Sequence, residues 1–156
     1  MNEIAGWFVG RCPDGWFTEA PEVTVDREEV LVVGCVTIPE PGAELGRAKR
    51  FREETREARM RIAEEAEERF GRKVSWGIRV GDERYLFAHL AVPVMTRLRQ
   101  SERAVLDTLI DAGVARSRSD ALAWCVRLVE KNQGEWIGQL RDAMVHVEEV
   151  RKQSPL

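Results

Sequence analysis

The chain has 156 residues, which is enough for one ordinary domain or two small ones. Charged residues make up 33% and hydrophobic residues 44%, so the composition excludes a disordered chain, and no apolar run approaches the roughly 20 residues that a membrane-spanning helix needs. The net charge of −3 excludes a protein that attracts nucleic acid through its overall field.

Residues 1–29 predict a β-hairpin. Gly6–Gly10 and Gly15–Thr18 both contain Gly-Trp-Phe, and they flank the turn-forming sequence Cys-Pro-Asp-Gly. Aromatic side chains favour paired strands. Val30–Ile38 then predicts a strand, and because its residues are apolar on both faces, we expect both faces to be covered.

A long helix and two more strands are predicted next. In Leu45–Phe70, apolar or small residues recur at helical spacing, and Gly71 ends the pattern. Val74–Val80 alternates between apolar and polar residues, a Gly-Asp turn follows, and Tyr85–Ala91 predicts the return strand. Residues 1–91 therefore predict an α+β domain with one long helix on an antiparallel or mixed sheet, and the sequence does not indicate its role.

Residues 92–131 predict a strand followed by two helices. Val92–Leu98 contains Pro93, which is typical of an edge strand or of a new strand. Ser101–Ala112 predicts a helix that Ser101 caps and that Gly113 ends.

The second helix of this module is predicted to run from a cap at Ser117 or Ser119 to about Lys131. Its expected inward side chains are Leu122, Val126 and Val129. Residues 132–156 follow, where Asn-Gln-Gly breaks the pattern and Glu135–Lys152 predicts a last helix with one apolar side.

The segment Met95–Val129 contains three short motifs, which follow one another as a strand, a helix and a second helix. Thr96-Arg97-Leu98 suits the end of a strand, Leu106–Gly113 suits a helix and its glycine turn, and Ser117–Ala121 (SRSDA) suits the start of a second helix. Together they resemble the ribbon-helix-helix family of bacterial repressors and antitoxins, over about 40 residues. The resemblance implies a homodimer or higher homo-oligomer that binds double-stranded DNA and regulates transcription.

The module also predicts which residues contact DNA. A single strand of this kind is not stable alone, but two copies pair into a ribbon that enters the major groove. Arg97 would then read a guanine edge and Met95 would touch a thymine methyl. A helix N-terminus attracts phosphate, which suits the start of the second helix. The candidate DNA-binding residues are Met95, Arg97, Arg99, Ser117, Arg118 and Ser119.

Other interpretations remain open. Residues 91–131 carry seven basic and five acidic side chains, which is only a weak basic bias. Arg97 could be an edge-strand arginine that prevents aggregation. A helix-turn-helix is a rival, with the turn at Ala112–Ser117 and recognition by Asp120–Leu128. The module could also serve only for oligomerisation in an assembly or adaptor protein, with a protein partner bound through residues 1–91 or through the last helix.

We expect no enzymatic activity, no metal and no cofactor. His89 and His146 are far apart, and no phosphate-binding glycine loop or nucleophile motif is present. Glu64 and Glu68 are best interpreted as part of a solvated helix face. The odd number of cysteines argues against a disulfide framework, and the five tryptophans favour core or interface packing. Met1–Phe8 has no basic segment before its apolar residues, so we predict a cytoplasmic protein without a membrane partner.

Overall fold

The computed structural model describes residues 2–154. The chain has an α+β fold and divides into two compact units, one ending at Val94 and the other beginning at Met95. The first unit contains α1 (Glu3–Arg11), β1 (Glu22–Val25), β2 (Glu29–Val36), α2 (Glu44–Glu54), α3 (Arg56–Phe70), β3 (Lys73–Val80) and β4 (Glu83–Leu86).

The four strands form one mixed sheet in the order β1-β2-β3-β4. The outer pairs are antiparallel, whereas β2 and β3 are parallel because α2 and α3 lie between them in the chain. Side chains from all three helices pack on the face of the sheet that holds Val32 and Ile78. On the opposite face, Val33 is buried, whereas Leu31 and Cys35 are only half-buried. The expectation that β2 is covered on both faces is therefore confirmed for the helix face and at Val33, but not at Leu31 and Cys35.

The prediction of a hairpin within residues 1–29 is wrong, because Glu3–Arg11 forms helix α1. The Asn2 side chain accepts a hydrogen bond from the Ile4 amide at 3.1 Å and caps α1. Ile4 and Phe8 lie one turn apart and are both buried, and the Phe8 ring meets Trp76 at a centroid distance of 5.9 Å. Phe8, one of the aromatic residues that favoured paired strands, thus lies on the buried face of a helix, whereas Trp16 and Phe17 follow that helix.

The long helix predicted over Leu45–Phe70 is interrupted at Thr55, which has φ −99° and ψ 0°. The Thr55 hydroxyl donates to the Phe51 carbonyl oxygen at 2.6 Å, and such back-bonding bends helices. At the other end, Gly71 adopts the left-handed conformation with φ 66° and ends α3, as the sequence predicted.

The strands predicted after Val80 are shorter than the sequence indicates. β4 ends at Leu86 instead of Ala91, and residues 87–99 contain neither helix nor strand. The strand predicted over Val92–Leu98 is therefore not formed in this single chain. The described chain offers that segment no neighbouring strand, and an isolated strand is not stable.

The second unit contains α4 (Gln100–Asp111) and α5 (Arg118–Lys152). The cap of α4 is Arg99 and not Ser101, because the Arg99 amide donates to the Glu102 carboxylate at 2.6 Å. Gly113 has φ 76° and turns the chain after α4. The break predicted at residues 132–134 is a kink at Gln133 (φ −125°, ψ 15°), and α5 continues through it.

The core of the second unit is small. Leu106, Ala115 and Ala121 are buried, with Leu98 and Cys125 among the side chains packed around them. Val126 and Val129 were expected to face inward, yet they are 62% and 50% exposed. Leu122 and Cys125 are the α5 side chains that pack on the core instead. Because α5 spans about 52 Å and α4 only about 18 Å, most of α5 extends beyond α4.

Candidate nucleic-acid interface

Three of the predicted DNA-binding residues lie in the segment that leads into α4. Met95 is 95% exposed, and Arg97 and Arg99 are also exposed. None of the ion pairs within residues 2–154 involves either arginine, so both guanidinium groups are available to an external anion. Leu98 lies between them and packs against the core of the unit, which anchors the segment at this point.

The start of α5 forms a compact hydrogen-bonded cap. The Ser117 hydroxyl oxygen accepts from the Asp120 amide at 3.1 Å, and the Asp120 carboxylate accepts from the Arg116 amide at 3.0 Å. The amides of Arg118 and Ser119 lie in the first helical turn, where no intrahelical acceptor is available. These two amides can bind a phosphate, although the nearby Asp120 carboxylate reduces the positive potential there.

Arg118 forms a bidentate ion pair with Asp107 of α4. The Arg118 Nε and a terminal nitrogen donate to the two Asp107 oxygens at 2.9 and 3.0 Å. The hydrogen bond from Arg118 lowers the pKa of Asp107 and raises the pKa of Arg118. Arg118 therefore links the two helices, and its charge is largely neutralised before any DNA arrives.

The six predicted residues do not form one contact cluster in the single chain. Arg118 contacts α4 at Asp107, eight residues beyond Arg99 and thus about 12 Å along the helix axis. Met95, Arg97 and Arg99 form one group before α4, and Ser117, Arg118 and Ser119 form another before α5. With two separate groups, the one before α4 can contact bases and the one before α5 can contact phosphates.

The other candidate residues do not assemble into a site. Within the described chain, no group of three His, Cys, Asp or Glu residues could hold a metal ion, and His89 and His146 are exposed. Trp76 packs with Phe8 and Trp16 in the core of the first unit. Burial raises the pKa of Cys12 to about 11, so this thiol is protonated at neutral pH.

Sequence reasoning missed a buried arginine. The acidic residues of this helix, such as Glu64 and Glu68, were predicted to form a solvated face and Arg59 received no role, yet Arg59 is buried. The signal was available, because Arg59 lies four residues after Thr55 and three before Ile62, two of the apolar or small residues that recur there at helical spacing.

Two family models together match most of the chain. The N-terminal domain of Rv1265-like proteins matches residues 2–86, and the Mb1296 C-terminal domain matches residues 99–151. The chain therefore belongs to the Rv1265-like family. Residues 87–98, which include Met95 and Arg97, lie between the two matched regions and are covered by neither family model.

The relatives are mycobacterial. The uncharacterised proteins Rv1265 of Mycobacterium tuberculosis (strain ATCC 25618 / H37Rv) and Mb1296 of Mycobacterium bovis are each 58% identical to this chain over 161 residues. Each alignment covers 97% of this chain and 70% of the relative. No solved structure matches the chain. No helix within residues 2–154 is long and apolar enough to cross a membrane.

Proposed function

We propose that the protein is a dimeric DNA-binding transcriptional regulator that acts through residues 92–131. The observation that carries the proposal is the order of parts in the second unit. An exposed segment with Arg97 and Arg99 leads directly into α4, and a glycine turn and a serine cap then introduce α5. A ribbon-helix-helix module has its parts in this order.

The base-reading step requires a second copy of the chain. Residues 92–97 contain no strand in one copy, so their backbone groups can pair with the same segment of another copy. In the paired ribbon, Arg97 and Met95 share one face because they are two residues apart. Arg97 can donate two hydrogen bonds to a guanine, and this pairing contributes about 1–3 kcal/mol of base discrimination.

The phosphate-binding step uses the start of α5. The amides of Arg118 and Ser119 are directed along the helix axis, and the helix dipole favours an anion there. The Arg118 side chain has a positioning role in this scheme, because its ion pair with Asp107 holds the start of α5 against α4. Contacts of this kind set the register of the protein on DNA and carry no sequence preference.

A second candidate function is assembly without DNA binding. Apolar side chains remain exposed along α5, including Trp136 (58%), Leu140 (48%) and Met144 (54%). Exposed apolar surface of this extent is typical of a protein–protein interface. Under this alternative the second unit only oligomerises, and Arg97 has no partner.

Fluorescence anisotropy with duplex DNA from upstream of the gene tests the first proposal. Wild type, Arg97→Ala and the control Arg141→Ala, which removes an exposed arginine of α5, are titrated at several salt concentrations. We expect wild type and Arg141→Ala to bind with a steep salt dependence. Arg97→Ala is expected to lose about 1–3 kcal/mol and its preference for the specific duplex.

The outcomes separate the two functions. Absence of wild-type binding at low salt would contradict DNA recognition, and equal losses in Arg97→Ala and Arg141→Ala would contradict base reading by Arg97. Sedimentation analysis of the same samples gives the oligomeric state. A dimer that does not bind DNA supports the assembly function, whereas a monomer at micromolar concentration contradicts both functions.

A further inference from the structure

The junction of α2 and α3 contains a buried arginine without a carboxylate partner. Arg59 is 7% exposed. Its Nε donates to the Thr55 hydroxyl oxygen at 2.9 Å, and a terminal nitrogen donates to the Arg52 carbonyl oxygen at 2.7 Å. Among the ion pairs formed by residues 2–154, none involves Arg59.

The charge of Arg59 is only partly compensated. A carbonyl and a hydroxyl carry partial charges, and the Phe87 ring, whose centroid lies 4.8 Å from the Arg59 guanidinium carbon, adds a modest cation–π attraction. Burial lowers the pKa of Arg59 to about 10, so the group stays charged at neutral pH. A buried permanent charge normally requires a full counter-charge.

Two further arginines increase the local positive charge. The guanidinium carbon of Arg52 lies 5.6 Å from the centroid of the same Phe87 ring. Arg52 and Arg56 both lower the pKa of Arg59 by electrostatic repulsion, so they are close enough to interact with it. Both are exposed, and neither takes part in an ion pair of the described chain.

The contrast with neighbouring arginines shows that this arrangement is local. Arg50 pairs with Glu54 one turn along α2, and Arg11 reaches Glu65 of α3 at 2.6 Å. Carboxylates are therefore available on these helices, and other arginines use them. Arg52, Arg56 and Arg59, by contrast, form no ion pair with another described residue.

We propose that Arg52, Arg56 and Arg59 form a binding site for a phosphate group in the N-terminal unit. Planar guanidinium groups match phosphate oxygens with paired, charge-assisted hydrogen bonds. Arg59 is held in place by Thr55 and by the Arg52 carbonyl, so it provides a fixed point. Arg52 and Arg56 are exposed and can close on the anion from solvent. The site does not include any of the candidate DNA-binding residues of the second unit.

Thermal unfolding of the full chain with inorganic phosphate tests the site, with sodium chloride at equal ionic strength as the reference. We expect phosphate at ten times its dissociation constant to lower the unfolding equilibrium constant about tenfold and to raise the midpoint by a few degrees. Arg52→Gln and Arg56→Gln change exposed side chains, so they should fold normally and lose this response. Arg61→Gln, at an exposed arginine of α3, should keep it.

Two results would overturn the proposal: phosphate that stabilises no more than chloride, or an equal response in Arg56→Gln and Arg61→Gln. If the site is present, its phosphate belongs either to a small phosphoester or to a DNA backbone. Anisotropy with duplex DNA separates these sources. Unchanged DNA affinity in Arg56→Gln assigns the site to a small ligand, and a reduced salt slope assigns it to DNA.

Discussion

Truncation of Leu106 gives the sharpest test of how the second unit is held together. The buried set contains Leu106, Ala115 and Ala121, so Leu106 supplies nearly all of its large apolar volume. Leu106→Ala removes three carbon atoms at about 0.8 kcal/mol each, and the cavity that remains adds to this loss. We expect a destabilisation of about 3 kcal/mol, which changes the unfolding equilibrium more than a hundredfold.

A unit of this size has only about 3–5 kcal/mol of stability, so Leu106→Ala should leave about 0–2 kcal/mol and greatly increase the opening of α4 and of the start of α5. Amide hydrogen exchange, read by mass spectrometry on peptides from α4 and α5, measures this directly. Leu128→Ala is the matched control, because Leu128 is 42% exposed and the same truncation there should cost less than about 0.5 kcal/mol. Equal protection of α4 in the two variants would refute the assignment of Leu106 as the main core residue.

Three further predictions follow from other parts of the molecule. Gly34→Ala places a Cβ against the Phe17 ring, so we expect a loss of about 1–3 kcal/mol in urea unfolding; an unchanged midpoint would show that the ring moves freely. The hydrogen bond from Arg11 lowers the pKa of Glu65, so the stabilisation is present above the unfolded pKa of about 4.3 and is lost as pH falls through the folded value. The free energy of unfolding, measured between pH 7 and 3, should therefore fall more steeply with acid in wild type than in Glu65→Gln. Parallel curves would contradict a stabilising Arg11–Glu65 ion pair. Leu140→Glu should lower the mass measured by sedimentation without loss of helix content, whereas an unchanged mass would place the interface away from α5.

Local patterns were enough to predict much of the fold. The α+β class and the strands β2 and β3 followed from apolar runs and alternation. The end of α3 at Gly71 followed from the conformational freedom of glycine. Ser117 caps α5 through its own hydroxyl, and the kink at Gln133 falls within the predicted break. In each case neighbours in the sequence determine the outcome.

Features that depend on distant contacts could not be predicted in this way. The sequence around Trp7 and Phe8 suits a strand or a helix equally, and burial against Trp76 selects the helix. β4 ends at Leu86, although the Phe87 amide still donates to the Trp76 carbonyl oxygen at 2.8 Å and the Phe87 side chain packs on the helix side. The candidate DNA-binding group before α4 depends on a second copy, so one chain cannot form the ribbon that its sequence predicts.

The exposed apolar side of α5 also has a consequence for the life of the protein in the cell. Under the proposed assembly function, a chain without its partner presents Trp136, Leu140 and Val150 to solvent, and chaperones and proteases select such surfaces. Association would hide them and protect the chain from turnover. The steady-state amount of the protein is then expected to follow the amount of its partner, so that surplus copies are removed.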